Sequence, residues 1–341
     1  MINFQAVSPT NENYFLKLLE ENAMQGWLNM LMTRQPRYLA HQHYFGQEYP
    51  ILAEETGNYL GCYQLTKHQG FINGELNTLG YLNSLRITPA YRHKIRVVKA
   101  GFDHLRQSMH IPDYCYTSIA SDNKVAKRLL EKGLASLPSY RPLGELCTLV
   151  IAQQQSKSYN LWQPTQNYQA VVNFYNHQAR QYQLAPYLDP AWLKAAKLPV
   201  LAHYQNKKIT ACAVLWNQQA FKQIMVNQYH PLVKLARPFY NGYAQLTGRP
   251  LLPNIKQTLD QTFLAFFQIA DEQLLLPLLT DALNYCRTRL LTLSLAKDQP
   301  LLKNIIKKLK AITYQTTIYG VDLMSHPNWL PLRLKPEAAI L

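Results

Sequence analysis

Two stretches of this 341-residue chain run through the same order of elements, and that repetition limits the fold more than any other feature. The first starts with a strand candidate, Tyr81 to Ile87, stopped by Thr88-Pro89 and followed by a basic turn. A helix comes next, with Val98, Phe102, Leu105 and Met109 on one face, and then a strand from Tyr114 to Ile119. Ser121-Asp122-Asn123 supplies cap-type residues for a second helix carrying Val125, Ala126, Leu129 and Leu130, and Gly133 stops it. A strand pair around Leu146 to Ala152 closes the unit. The second stretch repeats the order: strand Thr262 to Ile269, helix Leu275 to Cys286, strand Leu290 to Leu295, helix Pro300 to Lys310, strand Tyr314 to Val321. A hairpin-like pair precedes each stretch, Tyr59 to Thr66 with Gly70 to Leu76 in the first and Val200 to Trp216 with Phe221 to Gln228 in the second. The pattern predicts an internal duplication.

The length exceeds what one hydrophobic core organises, and 48% hydrophobic residues leave ample apolar surface to bury. The expected architecture is α+β: two domains, residues 1–155 and 160–341, each a mixed, mostly antiparallel sheet flanked by helices. Gln153 to Ser158 is the expected linker. Met1 to Thr10 carries no basic segment followed by an apolar one, so no signal peptide is predicted. The most apolar region, Thr262 to Leu283, is interrupted by Gln268, Asp271, Glu272 and Gln273, which argues against a membrane span. Five scattered cysteines without a C-x-x-C pair suggest neither a disulfide framework nor a zinc site, and a cytoplasmic protein is expected. Cys62, Cys115 and Cys212 lie in apolar runs and are expected to be buried, inert thiols.

A formal charge of +15 favours an anionic partner: nucleic acid, a membrane surface, an acidic protein or a phosphate-bearing cofactor. The surplus lies mostly in the second half, where residues 171–341 hold 19 Lys and Arg against 8 Asp and Glu. Lys303, Lys307, Lys308 and Lys310 share a predicted helix with Leu302, Ile305, Ile306 and Leu309, the pattern of an amphipathic surface helix. No G-x-x-x-x-G-K-[ST] loop, H-E-x-x-H helix or G-x-S-x-G turn is present, which removes those three chemistries.

The two stretches differ between the first strand and its following helix. The first has Pro89-Ala90-Tyr91-Arg92-His93-Lys94-Ile95-Arg96-Val97; the second has Ala270-Asp271-Glu272-Gln273-Leu274. The run Leu85-Arg86-Ile87-Thr88-Pro89-Ala90-Tyr91-Arg92, with Asn123-x-x-Ala126-x-x-Leu129-x-Glu131-Lys132-Gly133 beyond it, resembles the core of the GNAT superfamily of acyltransferases. The resemblance implies acetyl-CoA, or another acyl-CoA, as cofactor. It assigns cofactor binding to Leu85, Arg86 and Ile87 of the strand, to Arg92, His93, Lys94, Ile95, Arg96 and Val97 of the turn, and to Asn123. Independently of any family, free N–H groups at a helix start make an anion site, to which the basic side chains add charge. Ile95 and Val97 depart from the family loop, which has glycine where a Cβ would crowd the phosphate.

Acyl transfer from a thioester to an amine needs an oxyanion donor, a base and a proton for the departing thiolate. The resemblance places the oxyanion donor in the backbone of Asn83 to Ile87, and Glu75 is the candidate base. Leu130 stands where many members have the proton-donating tyrosine, so Tyr116 is the substitute candidate, with a packed core tyrosine as the alternative reading. Asn123 reads either as a pantetheine contact or as a helix cap. The function implied is an acetyl-CoA-dependent N-acetyltransferase acting on a small-molecule or protein amine, with a degenerate second copy. The alternative is a non-catalytic binding module of the same fold for an acidic partner or nucleic acid.

Overall fold

The computed structural model describes residues 1–21, 28–40, 45–92, 94–131, 133, 137–154 and 159–341, with Leu129 described through its backbone alone. His93 and most of the expected linker lie outside the described residues. The first half runs through β1 (Asn3–Ala6), α1 (Glu12–Glu21), β2 (Leu28–Thr33), β3 (Gln47–Glu55), β4 (Asn58–Ile72) and β5 (Glu75–Ile87). It continues with α2 (Ile95–Ser108), β6 (Tyr114–Ala120), α3 (Lys124–Glu131) and β7 (Ser139–Ala152). The second half opens with β8 (Gln163–Pro164), α4 (Tyr168–Ala179), β9 (Ala185–Pro186), α5 (Pro190–Ala196), β10 (Val200–Gln205) and β11 (Lys208–Trp216). Then come β12 (Gln223–Tyr229), α6 (Pro231–Thr247), β13 (Gln261–Ile269), α7 (Leu275–Ala282), β14 (Leu290–Ala296), α8 (Leu302–Leu309) and β15 (Ile312–Asp322).

Three expectations change. Residues 59–76 do not break into two short strands; β4 is one 15-residue strand that turns at Asn73-Gly74, where φ is +55° and +86°. Asn-Gly with both residues left-handed suits the twist of a tight hairpin, so the chain turns there and not at residues 67–69. The expected strand pair near Leu146 is a single strand, β7. The second hairpin is also drawn elsewhere: Val200 to Trp216 divides into β10 and β11, which pair with each other, and β12 pairs with β2 in a separate two-stranded sheet.

Among the described residues thirteen strands form one sheet, in the order β1-β3-β4-β5-β6-β15-β7-β14-β13-β11-β10-β8, with β9 added to β4. Its pairings are antiparallel except β5 with β6 and β13 with β14. The two halves trade their last strands: β15 lies between β6 and β7, and β7 lies between β15 and β14. The sheet is therefore continuous across the expected boundary at residues 155–160.

Helices cover both faces. Val98, Phe102 and Leu105 of α2 pack on Leu65 and Cys115, while α1 lays Phe15, Leu16 and Leu19 against Leu52 and Cys62. In the second half, α7 and α8 bury Leu275, Leu278, Leu279, Ile305 and Leu309 against strand residues such as Leu149, Ile151, Leu291 and Leu293. Val171, Val172 and Tyr175 of α4 pack with Cys212, Val214 and Phe266. All five cysteines are free and buried, and burial pushes the Cys62, Cys115 and Cys212 thiols up to about 12, as expected of inert core thiols.

One polar pair sits within this core. His68 Nδ1 lies 3.1 Å from the Gln69 carbonyl oxygen, which can only accept, so Nδ1 carries the proton and Nε2 accepts from the Tyr116 hydroxyl at 2.9 Å. Burial lowers the His68 pKa to about 4, keeping it neutral.

Because β7 and β15 border both halves, denaturant unfolding should be one transition. Ile318→Ala, which empties a fully buried site on β15, should cost about 2–5 kcal/mol. Circular dichroism and the fluorescence of Trp162, Trp192 and Trp216 should shift together; separate transitions would mean that the halves unfold independently. A second outcome concerns acid. Between pH 6.5 and 4 the unfolded chain binds a proton at residue 68 that the folded chain refuses, so stability falls as pH falls through that window. The unfolding free energy from urea titration should fall by about 2 kcal/mol between pH 7.5 and 5 from this group. His68→Gln should flatten that slope, and an unchanged slope would rule the group out as its source.

Candidate active site

Parallel pairing of β5 with β6 covers only Leu79↔Tyr114, Gly80↔Cys115 and Tyr81↔Tyr116, although both strands run on. Gly80 permits the close approach at this vertex, since a Cβ there would lie 2.7 Å from Cys115 Sγ. Past the vertex β5 bulges: Asn83 pairs with Gln64 and Arg86 with Cys62, so three steps on β5 face two on β4. Ser84 takes up the extra residue at φ +56°. The bulge bends β5 away from β6 and opens a wedge between them, across which the Thr117 hydroxyl donates to the Leu82 carbonyl oxygen at 2.7 Å. The β6-facing backbone of residues 83–87 is thereby released from the ladder.

The wedge opens into a cavity of about 430 Å³. Both halves line it: Leu85, Phe102, Leu105 and Asn123 from the first, Ile224, Val226, Leu251, Leu252 and Tyr314 from the second, with Met30 and Met32 of β2. Its walls are mainly hydrocarbon. Arg86 borders it, and its buried Nε has no hydrogen-bond partner among the described residues, while Nη1 donates to the Leu85 carbonyl oxygen at 2.9 Å. A buried guanidinium edge without an acceptor is costly unless an anion completes it. Beside the vertex, Tyr81 also faces the cavity; it stacks on Tyr116 with ring centroids 4.9 Å apart, and its hydroxyl lies 2.7 Å from Ser118 Oγ. Burial pushes the Tyr81 phenol up to about 12, so it stays protonated and can donate. A smaller pocket shares Gln64, Tyr81, Asn83 and Ser84 with the cavity and is bordered by Glu48, whose carboxylate is held by both Arg34 Nη atoms at 2.6 and 2.7 Å.

At the outer end of β5 a short turn over Pro89–Tyr91 leads into α2, whose N-cap residue Lys94 gives no side-chain cap and whose first turn holds no acid. Among the described residues no side chain of the turn caps this helix start. Arg92 Nε donates to the Ile87 carbonyl oxygen at 3.3 Å, and Lys94 Nζ lies 4.7 Å over the Tyr91 ring. Arg96 is engaged elsewhere: both terminal nitrogens reach Glu55, at 2.7 and 3.0 Å, and this hydrogen bonding holds the Glu55 carboxyl below its usual range. Ile95 is exposed, whereas Val97 packs into the core against Ala53 and Leu60.

The structure brings Leu85, Arg86, Ile87, Val97 and Asn123 to the cavity wall, whereas Arg92 and Lys94 lie in the turn before α2 and are not among the residues lining it. Asn123 also caps α3, accepting from the Ala126 N–H at 3.1 Å. Glu75 stands apart, at the far end of β5 and ten residues from Leu85, roughly 30 Å at the rise of an extended strand. Tyr116 is behind the site, since its proton goes to His68 and Tyr81 stands between it and the cavity. Tyr81 and Glu48 were not singled out in the sequence, where Tyr81 only opens the predicted core strand; the structure places them at the walls of the two pockets.

The second half has the same wedge in a filled form. Pairing of β13 with β14 ends at Phe263↔Thr292, and Phe266 occupies the bulge at φ +49°. Here the Phe266 N–H donates to the buried Glu337 carboxylate at 2.9 Å, and Lys335 Nζ donates to Gln268 Oε1 at 2.8 Å. The following turn is self-capped, with Asp271 accepting from the Gln273 N–H at 2.9 Å. In the second half the bulge N–H and the turn before α7 are thus met internally.

No protein-family model and no curated protein matches the chain. Solved structures do. The N-myristoyltransferase of Saccharomyces cerevisiae with bound myristoyl-CoA superposes with a TM-score of 0.57 at 9% identity, over 94% of this chain and 82% of that one. A GCN5-related N-acetyltransferase from Sphaerobacter thermophilus gives 0.53 at 10% identity, over 97% and 98% of the two chains. One from Anabaena variabilis gives 0.52 at 11% identity, over 95% and 73%. The opened parallel strand pair and the uncapped helix beyond it thus belong to a chain with the fold shared by GCN5-related N-acetyltransferases and N-myristoyltransferase.

Proposed function

We propose that the chain is an acyl-CoA-dependent N-acyltransferase whose donor site is the β5/β6 wedge, and that it transfers an acyl group longer than acetyl. The observation that carries this reading is a hydrocarbon-lined cavity of about 430 Å³ whose wall includes Arg86, with a buried Nε lacking an acceptor among the described residues, and Val97 and Val98 from the first turn of α2. That arrangement matches a molecule with phosphate at one end and alkyl chain at the other. Acetyl was expected from family prevalence, but an acetyl group would leave most of this cavity unused. The fold likeness to an enzyme solved with myristoyl-CoA supports the longer chain. The second half we take as a degenerate copy of the first, its wedge closed by Glu337 and the turn before α7 by Asp271.

In the reaction, backbone N–H groups of residues 83–87 donate to the thioester carbonyl oxygen as negative charge develops on it. An amine arriving through the smaller pocket attacks the carbonyl carbon, and Glu48 accepts the amine proton, directly or through water. The C–S bond then breaks, and Tyr81 donates its proton to the thiolate. In this reading Glu48 and Tyr81 take the roles expected from the sequence of Glu75 and Tyr116, because Glu75 lies at the far end of β5 and Tyr116 donates to His68.

Calorimetric titration with acyl-CoA thioesters from acetyl to myristoyl should give affinity that rises with chain length. Arg86→Ala should weaken every member by about 10- to 100-fold, the value of a hydrogen bond to a charged group. Equal affinity across the series would remove the long-chain reading, and no binding by any member would remove the enzyme. Once an acceptor amine is found by screening, Tyr81→Phe should lower kcat by about 10²–10⁴-fold. Tyr116→Phe should leave kcat within a few fold while lowering stability by about 1–3 kcal/mol, because His68 Nε2 loses its donor. The reverse ranking would return the acid role to Tyr116.

A further inference from the structure

α6 is built inside out. A surface helix ordinarily buries its apolar stripe and exposes its polar one. Here Leu232, Leu235, Phe239, Tyr243 and Leu246, at helical spacings of three and four, are between 52% and 90% exposed, and Ala244 is the one buried residue among the helix's 17. The inward face is polar and clamps the chain that follows: Arg237 Nε and Asn241 Nδ2 donate to the Leu252 carbonyl oxygen at 3.0 Å, and the Tyr240 hydroxyl donates to that of Pro250 at 3.1 Å. Hydrogen bonds hold the helix in place, and its apolar side is left to solvent.

The helix and the segment it clamps carry one sign of charge. From His230 to Leu259 the chain has Lys234, Arg237, Arg249 and Lys256 and no Asp or Glu. Arg249 lies over the Tyr243 ring, and Lys310 Nζ donates to the Thr247 carbonyl oxygen at 2.6 Å, which ties the exposed Lys307 and Lys308 of α8 to the end of α6. The segment that α6 clamps, Pro250 to Pro253, is also a wall of the apolar cavity.

We propose that α6 docks the protein on the surface of an anionic lipid bilayer, its apolar stripe entering the acyl boundary and the basic rim meeting the headgroups. An apolar face with aromatic residues, flanked by Lys and Arg and clear of acids, has the composition of an interfacial helix. A second copy of this chain would bring like-charged rims together, and nucleic acid would find no cation within the stripe itself. Docking in this way sets the cavity wall at the bilayer, where an acyl chain can pass without crossing water. The docking does not depend on the acyltransferase reading, because it is tested by binding alone.

The experiment is cosedimentation of the full chain with vesicles of phosphatidylcholine and of equal parts phosphatidylcholine and phosphatidylglycerol. The intact protein should partition at least about tenfold more strongly onto the anionic vesicles, less so as salt is raised. The double substitution Leu235→Glu, Phe239→Glu, on exposed positions, should abolish that partition while leaving circular dichroism and acyl-CoA titration unchanged. Lys307→Glu, Lys308→Glu should reduce it by weakening the headgroup contact. Equal partition of wild type and the α6 variant, no partition at low salt, or a concentration-dependent dimer that the α6 substitutions dissolve would each overturn the proposal.

Discussion

The hydrogen-bond ladder between β7 and β15 holds the architecture together. These strands pair over eleven residues of β15, from Ile312 to Asp322, and each carries the sheet of the opposite half on its outer edge. A strand between two neighbours has no free edge, so neither half keeps a place where its own sheet could end at that seam. Everything that positions the site hangs from this ladder. β6 is fixed along β15, and its pairing with β5 can therefore stop after Tyr81 without the sheet coming apart.

The wedge is a local failure of pairing that the surrounding structure can tolerate. A bulge with a non-glycine residue in the left-handed region is costly, and it occurs at Ser84 and at Phe266, each three residues beyond the last parallel pair. What differs is how the released backbone is satisfied. In the second half a buried carboxylate takes the Phe266 N–H; in the first the wedge faces a cavity. One geometry thus has a structural use in one half and is available for chemistry in the other.

Much of the fold was legible in the sequence because it rests on local pattern. β5, α2, β6 and α3 were readable from alternation, helical spacing, Thr88-Pro89 and the Asn123 cap, and the matching elements of the second half were read the same way. The expected strand from Tyr314 to Val321 is β15, but its neighbours are non-local, and nothing in those residues tells which edge they join. The site divides along the same line. The strand end and basic turn leave a trace in side-chain chemistry, whereas Glu48, Leu251 and Val226 reach the site only through tertiary packing. Glu75 shows the complementary failure: it lies on the right strand, and the 15-residue length of β4 carries it to the wrong end.

The placement of β15 also constrains the order in which the molecule can be made. Synthesis runs from the N-terminus, so β6 (ending at Ala120) and β7 (ending at Ala152) emerge well before the strand that belongs between them, which begins only at Ile312. Until residues 312–322 appear, both strands must wait with open edges or pair with each other in a register that has to be undone. A nascent chain in that state exposes strand edges to its neighbours, the situation in which chaperones and slow folding phases matter most. The interleaving that makes the finished sheet seamless thus makes its first half incomplete for most of its time on the ribosome.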